Sequence, residues 1–125
     1  MILHLVDRTT WDSIRTGDTY SPPSLDVEGF VHCTGDAETM LAVANAFYRQ
    51  TPGEHVVLEI DEAALGAPVR WEPPAHPDGR PAEPGAPRFP HVYGPLPIAA
   101  VRAVRRLVRA PDGAFVGYGE AEPTS

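Results

Sequence analysis

Proline is the feature of this sequence that most restricts what it can fold into. The 125 residues include 15 prolines, and six of them fall in the segment 73–87 together with two glycines. Proline fixes φ and has no backbone N–H to donate, so neither a helix nor a central strand can cross such a segment. The segment 73–87 is therefore predicted to be a long surface loop, with regular structure confined to the sequence on either side of it.

Short apolar and β-branched runs on both sides of this loop predict strands. The predicted strands are 1–6, 30–34, 55–60, 69–72, 89–93, 101–108 and 114–118. Apolar residues recur at three- and four-residue steps over 37–50, which predicts a helix, and a shorter helix is expected at 11–15. Turn residues fill 17–24, where Pro22 and Pro23 argue against regular structure and predict a loop.

A strand-rich pattern with few helices predicts a single α+β domain. We place this domain at residues 1–118 and expect 119–125 to be a flexible tail. The length of the chain fits one domain of ordinary size. The oligomeric state is left open.

Charge and residue types exclude several classes of protein. All ten basic side chains are Arg, against 17 Asp and Glu, and the net charge of −7 repels a phosphate backbone, so DNA binding is not expected. Without Lys, Schiff-base chemistry and a P-loop are excluded. A single cysteine, Cys33, allows neither an intrachain disulfide nor a multi-cysteine zinc site, which fits a reducing cytoplasm. No apolar run approaches the ~20 residues that span a bilayer, so a cytoplasmic protein without a membrane partner is expected.

Three histidines in predicted strands are the main candidates for a site, namely His4, His32 and His91. A single histidine in a strand is usually a half-buried residue that donates to a carbonyl. Three that converge, with hydroxyl groups nearby, would instead form a polar cleft. No HxH or HxxxH spacing is present, so a metal site is not expected.

Strand alternation assigns neighbours to two of these histidines. His32 and Cys33 face opposite sides of their strand and cannot form a dyad, and Cys33 is expected to be packed and inert. The residues expected to share a face with His32 or His91 are Phe30, Thr34 and Tyr93. Glu59 and Glu72 stand late in their strands, either as rim carboxylates or as partners for a developing positive charge.

Four strings resemble the domain-of-unknown-function 952 family over residues 2 to about 107. They are YSPPSLDVEGFVHCT (20–34), VVLEID (56–61), RWE (70–72) and RFPHVYGPLP (88–97). Members of this family are small bacterial proteins whose fold is similar to that of ADP-ribosyltransferases. The resemblance implies a split, curved antiparallel sheet with two or three short helices and a cleft for NAD between the two halves.

The resemblance also implies roles for individual residues. His4 matches the polar residue of the first strand that contacts the ribose beside nicotinamide, and Leu5 would offer its backbone to the carboxamide. His32 matches the strand that lines the nicotinamide pocket, and His91 lies in the region from which the transferases present a catalytic glutamate. The catalytic set implied is thus His4, His32 and His91, and the substrate-binding set is Tyr20, Ser24, Phe30, Thr34, Glu72 and Tyr93.

The match departs from the transferases at one point, because no E-x-E pair stands near His91. Either Glu72 or Glu59 reaches the cleft from another strand, or the histidines support a less demanding reaction without such a glutamate, as in the RNA 2′-phosphotransferases of the same fold. The function expected is binding or cleavage of NAD or a related ribonucleotide, with NAD as substrate and no prosthetic group. Two alternatives stay open: a non-catalytic sensor of a nucleotide or ADP-ribose, and a small-molecule acid–base enzyme that uses His32 and His91.

Overall fold

Residues 1–73 and 88–122 are described by a computed structural model of the chain. The strands are β1 (Ile2–Asp7), β2 (Thr19–Tyr20), β3 (Val31–His32), β4 (His55–Ile60), β5 (Val69–Glu72), β6 (Phe89–Val92), β7 (Leu96–Pro97), β8 (Val101–Arg109) and β9 (Phe115–Glu122). The helices are α1 (Arg8–Ile14), α2 (Pro23–Glu28) and α3 (Ala37–Phe47), with 3-10 turns at Glu62–Ala64 and Ile98–Ala100. The prediction of an α+β chain with antiparallel sheets and few short helices is confirmed. Apart from Pro73, the predicted loop at 73–87 lies outside the described residues.

The largest sheet has the antiparallel strand order β1-β4-β8-β9, and its two faces contribute to two separate hydrophobic cores. One face carries Leu3, Val57 and Leu107, which form a core with Met40 and Ala44 of α3. The other face belongs to a second core. That core includes Ile2, Val6, Trp11, Val31, Val56, Leu58, Val92 and Val104. Strands β1 and β4 therefore carry buried side chains at consecutive positions rather than in strict alternation.

A three-stranded sheet with the order β3-β6-β5 lies on the far side of the second core. Its register pairs Val31 with Val92 and His32 with His91. Val31 and Val92 are buried in the second core, so His32 and His91 project from the opposite face of the small sheet. A two-stranded ribbon of β2 and β7 completes the described strands.

The large and small sheets meet at one antiparallel bridge, between Leu3 and Thr34. Two backbone hydrogen bonds of 2.8 Å join these residues, one in each direction. Thr34 lies two residues after β3, and among the described residues β1 and β3 themselves form no backbone pair. The two strands consequently diverge on the side of Leu5 and His32.

Helix α2 corrects the expectation of a loop across 17–24. The helix begins at Pro23, because the first helical position needs no N–H partner and its φ suits proline. Its last residue is Glu28, and it is capped by Gly29, whose φ of 88° is the left-handed conformation that glycine adopts without strain. The adjacent prolines that argued against regular structure therefore mark the start of a helix.

Strand β9 corrects the expectation of a flexible tail from residue 119. The strand continues to Glu122, and Ala121 and Glu122 lie opposite Arg105 and Val104 of β8. The Glu122 carboxylate also accepts two hydrogen bonds from Arg8, at 2.9 and 2.7 Å. Residues 119–122 are thus part of the fold, while 123–125 lie outside the described residues. No helix within the described part of the chain is long and apolar enough to cross a membrane.

Candidate functional site

The divergence of β1 and β3 opens a cleft of about 730 Å³. This volume is typical of a site for a small molecule. All three candidate histidines, His4, His32 and His91, line the cleft. Three of the predicted substrate-binding residues, Tyr20, Ser24 and Thr34, line it as well.

Main-chain groups of β1 face this cleft. Leu3 directs its N–H and C=O toward Thr34 and away from β4. Because backbone groups in an antiparallel strand alternate in direction, Leu5 directs its N–H and C=O to the same side as Leu3. Leu5 lines the cleft, and its main chain has no hydrogen-bond partner on that side among the described residues. One wall of the cleft is therefore a short strand edge with a donor and an acceptor available.

His4 connects the two walls at the inner end of the cleft. Its side chain is buried, and Nδ1 lies 2.7 Å from the backbone oxygen of His32. A carbonyl oxygen can only accept, so Nδ1 carries the proton and Nε2 of the neutral ring carries a lone pair. Burial lowers the pKa of His4, which favours this neutral form. His4 can thus accept a hydrogen bond from a ligand hydroxyl.

Thr34 and Cys33 lie beside this contact. The Thr34 hydroxyl oxygen is buried and has no partner among the described residues. Buried hydroxyls are normally hydrogen-bonded, so this oxygen is a free polar group at the cleft. Cys33 is buried, and burial raises the pKa of its thiol to about 12, which keeps it protonated and unreactive as the sequence predicts.

His91 is held between a carboxylate and an aromatic ring. Its Nδ1 lies 2.9 Å from Oε1 of Glu72, and the Tyr93 hydroxyl donates to the same oxygen. The Phe30 ring stacks on the His91 ring with centroids 4.1 Å apart and planes inclined by 20°. Hydrogen bonds from Tyr93 and His91 lower the pKa of Glu72, so its carboxylate stays ionised. These contacts fix the orientation of the His91 ring.

His32 has a carboxylate partner of its own at the outer end of the cleft. Its Nε2 lies 2.5 Å from Oε2 of Glu28, one helical turn away in sequence, and both side chains are exposed. The His32 and His91 rings meet edge to face with centroids 5.5 Å apart. Two imidazoles with separate carboxylate partners therefore stand side by side.

Three predicted substrate-binding residues, Phe30, Glu72 and Tyr93, are not among the described residues that line the cleft. They contact the ring of His91 or one another instead. Glu59 also lies elsewhere, 3.3 Å from Arg105 beside a separate cavity of about 230 Å³. Neither carboxylate considered from the sequence thus forms part of the described cleft wall. The alternation of side chains along a strand could not place these residues relative to the cleft, because it does not indicate which face of the sheet adjoins the cleft.

Four polar residues that line the cleft were not predicted from the sequence, namely Asp7, Tyr48, Thr51 and His55. His55 is buried and lies opposite Asp7 in the β1–β4 register. Asp7 caps α1 by accepting hydrogen bonds from the hydroxyl and the backbone N–H of Thr10, and these two contacts lower the pKa of its carboxyl. An aspartate at the end of a strand, just before a helix, is a recognisable cap, but its contribution to a cleft depends on tertiary structure. Within residues 1–73 and 88–122, no group of three or more potential ligand side chains is arranged to hold a metal.

Comparison with solved structures identifies a protein of the same fold. A crystal structure of protein CC0527 from Caulobacter crescentus superposes with a TM-score of 0.71 at 25% sequence identity, covering 92% of each chain. A solution NMR structure of the same protein gives a TM-score of 0.68 at 25% identity, covering 91% of this chain and 90% of that one. No curated protein matches the sequence significantly.

A family model described as "Protein of unknown function (DUF952)" matches residues 5–104. The match covers most of the chain and includes the β3 and β6 residues that line the cleft and those of β1 except His4, which lies just before it. Together with the sequence strings identified above, it confirms the resemblance to this family. The chain belongs to the DUF952 family.

Proposed function

We propose that the cleft binds the nicotinamide–ribose end of NAD or a related ribonucleotide and supports cleavage of the bond between them. The observation that carries this proposal is that one cleft brings together the strand edge at Leu5 and the imidazoles of His4, His32 and His91. Two antiparallel sheets joined by a single bridge also fit the split sheet of an ADP-ribosyltransferase-like fold. In that fold, as the family resemblance implies, the ligand lies between the two halves.

The strand edge supports binding of a carboxamide. A primary amide has an N–H₂ donor and a carbonyl acceptor side by side. The C=O and N–H of Leu5 provide the complementary pair on the cleft wall. A backbone clamp of this kind would hold the amide and align the attached ring with the apolar wall of the cleft.

The charge at the cleft supports binding of the oxidised ring. Asp7 lines the cleft, and its lowered pKa keeps the carboxylate ionised near neutral pH. The nicotinamide ring of oxidised NAD is cationic, whereas the ring of reduced NAD is neutral. An anionic side chain attracts the former, so the cleft is expected to prefer oxidised NAD.

The imidazoles support reaction at the ribose. His4 presents an acceptor nitrogen to a ligand hydroxyl, and the adjacent Thr34 hydroxyl is free to bond as well. Groups that hold the ribose in a reactive geometry lower the barrier to loss of the ring. Because nicotinamide leaves as a neutral molecule, the reaction needs no acid on the departing nitrogen.

Thermal shift with NAD, NADP, ADP-ribose and nicotinamide tests binding, and chromatographic detection of free nicotinamide tests cleavage. We expect a rise in melting temperature with oxidised NAD, a smaller rise with reduced NAD, and release of nicotinamide over time. Reduced NAD is the matched control, because it differs at the ring while keeping the rest of the molecule. Absence of a shift with every nucleotide would contradict the proposal and favour a small-molecule acid–base enzyme that uses the adjacent His32 and His91 rings.

A non-catalytic sensor of a nucleotide or ADP-ribose is the second candidate. It is favoured by the positions of Glu59 and Glu72, neither of which is part of the described cleft wall. The same experiment separates the two candidates. A thermal shift without release of nicotinamide would identify a sensor.

A further inference from the structure

We infer that Glu72 is a positioning residue that presents Nε2 of His91 to the cleft as an unprotonated base. The reaction in which this base takes part rests on the proposed function, whereas its geometry does not. It assigns to a carboxylate–imidazole pair the work that the transferases give to a glutamate at the ribose.

The tautomer of His91 follows from its contact with Glu72. The distance from Nδ1 to Oε1 is 2.9 Å, and the carboxylate is ionised, so Nδ1 is the donor. In the neutral ring the remaining nitrogen, Nε2, then carries the lone pair. Nε2 makes no hydrogen bond with any described residue, and His91 lines the cleft.

Two further contacts hold the pair in place. The hydroxyl of Tyr93 donates to the same Oε1 atom of Glu72 and fixes the carboxylate. The Phe30 ring covers one face of the imidazole, with centroids 4.1 Å apart. Only 5% of the His91 side chain is exposed, so the ring has little freedom to turn over.

His91 suits the role of base better than His4 does. When Nε2 takes a proton, the ring becomes an imidazolium, and an adjacent carboxylate stabilises that charge. His91 has Glu72 for this purpose, whereas His4 donates to the neutral carbonyl of His32. Burial also lowers the pKa of His4, which opposes its protonation.

The step that this base supports is attack by water on the ribose. Nε2 of His91 takes one proton from the water, and the water oxygen forms a bond to the anomeric carbon. The bond from that carbon to the ring nitrogen breaks, and its electron pair neutralises the cationic ring. Nicotinamide leaves, the ribose keeps the hydroxyl, and the proton on His91 passes to solvent.

Long-range ¹H–¹⁵N NMR of the imidazole nitrogens tests the inference directly, since protonated and unprotonated nitrogens have distinct shifts. In the wild-type protein we expect the proton of neutral His91 on Nδ1 and none on Nε2. Glu72→Ala removes the acceptor and should produce a mixture of tautomers. Glu59→Ala is the matched control, because Glu59 pairs with Arg105 away from the cleft, and it should leave the His91 signals unchanged.

Kinetics of nicotinamide release provide a second readout. Glu72→Gln is nearly isosteric and keeps an oxygen acceptor for Nδ1, but it removes the charge that stabilises the imidazolium. We expect kcat to fall by roughly 10- to 100-fold with little change in KM, within the range of general-base contributions. Glu59→Gln should retain wild-type kcat and KM.

The two readouts separate failure of this inference from failure of the proposed function. A proton on Nε2 of wild-type His91, or a tautomer that Glu72→Ala leaves unchanged, would overturn the inference whatever the protein binds. Unchanged kcat in Glu72→Gln would also overturn it. The expected tautomer in a protein that releases no nicotinamide would support the positioning role and count against cleavage of NAD.

Discussion

His4 and His55 are two buried imidazoles at the same cleft, and both favour the neutral form. Burial is the largest cause that lowers the pKa of each. In each case Nδ1 donates to a backbone carbonyl. His4 donates to the carbonyl of His32, and His55 donates to the carbonyl of Gly53. The folded protein therefore holds two rings that the unfolded chain would protonate more readily.

Acidification is expected to destabilise the protein through these two residues. Their folded-state pKa values lie below the reference value of 6.5, so the unfolded chain binds more protons as the pH falls through and below that value. The contribution of these two residues to the free energy of unfolding should have its full value above pH 6.5 and decline as the pH is lowered toward 5. Urea denaturation at a series of pH values measures this decline.

His4→Asn isolates the contribution of one ring. The asparagine N–H₂ can replace Nδ1 as donor to the His32 carbonyl but cannot titrate. We expect the variant to lose less stability than the wild type between pH 7 and pH 5. An identical pH dependence in both proteins would show that the burial of His4 contributes nothing to acid sensitivity.

At the scale of single elements, helix α2 forms one end of the cleft. Ser24 lines the cleft from its first turn, and Glu28 binds His32 from its last residue. The helix has six residues and no fully buried side chain, and it packs on the second core through the partly buried Leu25, so packing contributes only modestly to its stability. Its ends therefore matter: Pro23 begins it, and Gly29 ends it in the left-handed conformation.

Gly29→Ala is expected to destabilise the protein by about 1 kcal/mol, the cost of a left-handed conformation for a residue with a Cβ. No atom lies within 4 Å of the position of the new Cβ, so the loss comes from backbone strain alone. Gly66→Ala is the matched control, because its Cβ also meets open space and its φ is not positive. Chemical denaturation of both variants measures the difference, and equal stabilities would contradict the argument.

Most elements could be predicted from the sequence, because their apolar runs are long and clearly bounded. The strand at 55–60 and the helix from residue 37 were found in this way. Helix α2 was missed because Pro22 and Pro23 were interpreted as evidence for a loop, although proline is also common at the first position of a helix. The final strand was ended too early, because Gly119 and the glutamates after it have low strand propensity, and pairing with β8 overrides that propensity.

The candidate site could be predicted only in part. His32 and His91 were each recognised, but their adjacency depends on the register of β3 and β6, which lie far apart in the chain. The position of Glu72 behind His91 depends on the pairing of β5 with β6 and on which face of that sheet adjoins the cleft. Neither tertiary pairing leaves a local sequence pattern.

At the scale of the whole molecule, Arg8 joins the beginning and the end of the described chain. Its Nε lies 2.5 Å from Glu54, and its other nitrogens bind the Glu122 carboxylate at 2.9 and 2.7 Å. The pKa of the guanidinium is raised, chiefly by hydrogen bonding to Glu122. The final residues of β9 are thereby held to both β8 and α1.

A chain that ends at Tyr118 is expected to be less stable than one that ends at Glu122. The shorter chain loses the last rungs with β8 and the bidentate contact with Arg8, which together contribute about 1–3 kcal/mol. Urea denaturation of the two truncated chains measures the difference. Equal midpoints would show that residues 119–122 add nothing to stability, as a flexible tail would.

The main-chain edge at Leu5 bears on how such a site can evolve. An N–H and a C=O are supplied by any residue that keeps the strand, so substitution of the Leu5 side chain leaves both groups in place. Selection on such an edge acts through strand geometry rather than through side-chain identity. Proteins with 25% identity and the same fold, such as the Caulobacter protein, can therefore diverge widely in sequence while inheriting one pattern of hydrogen-bond donors and acceptors.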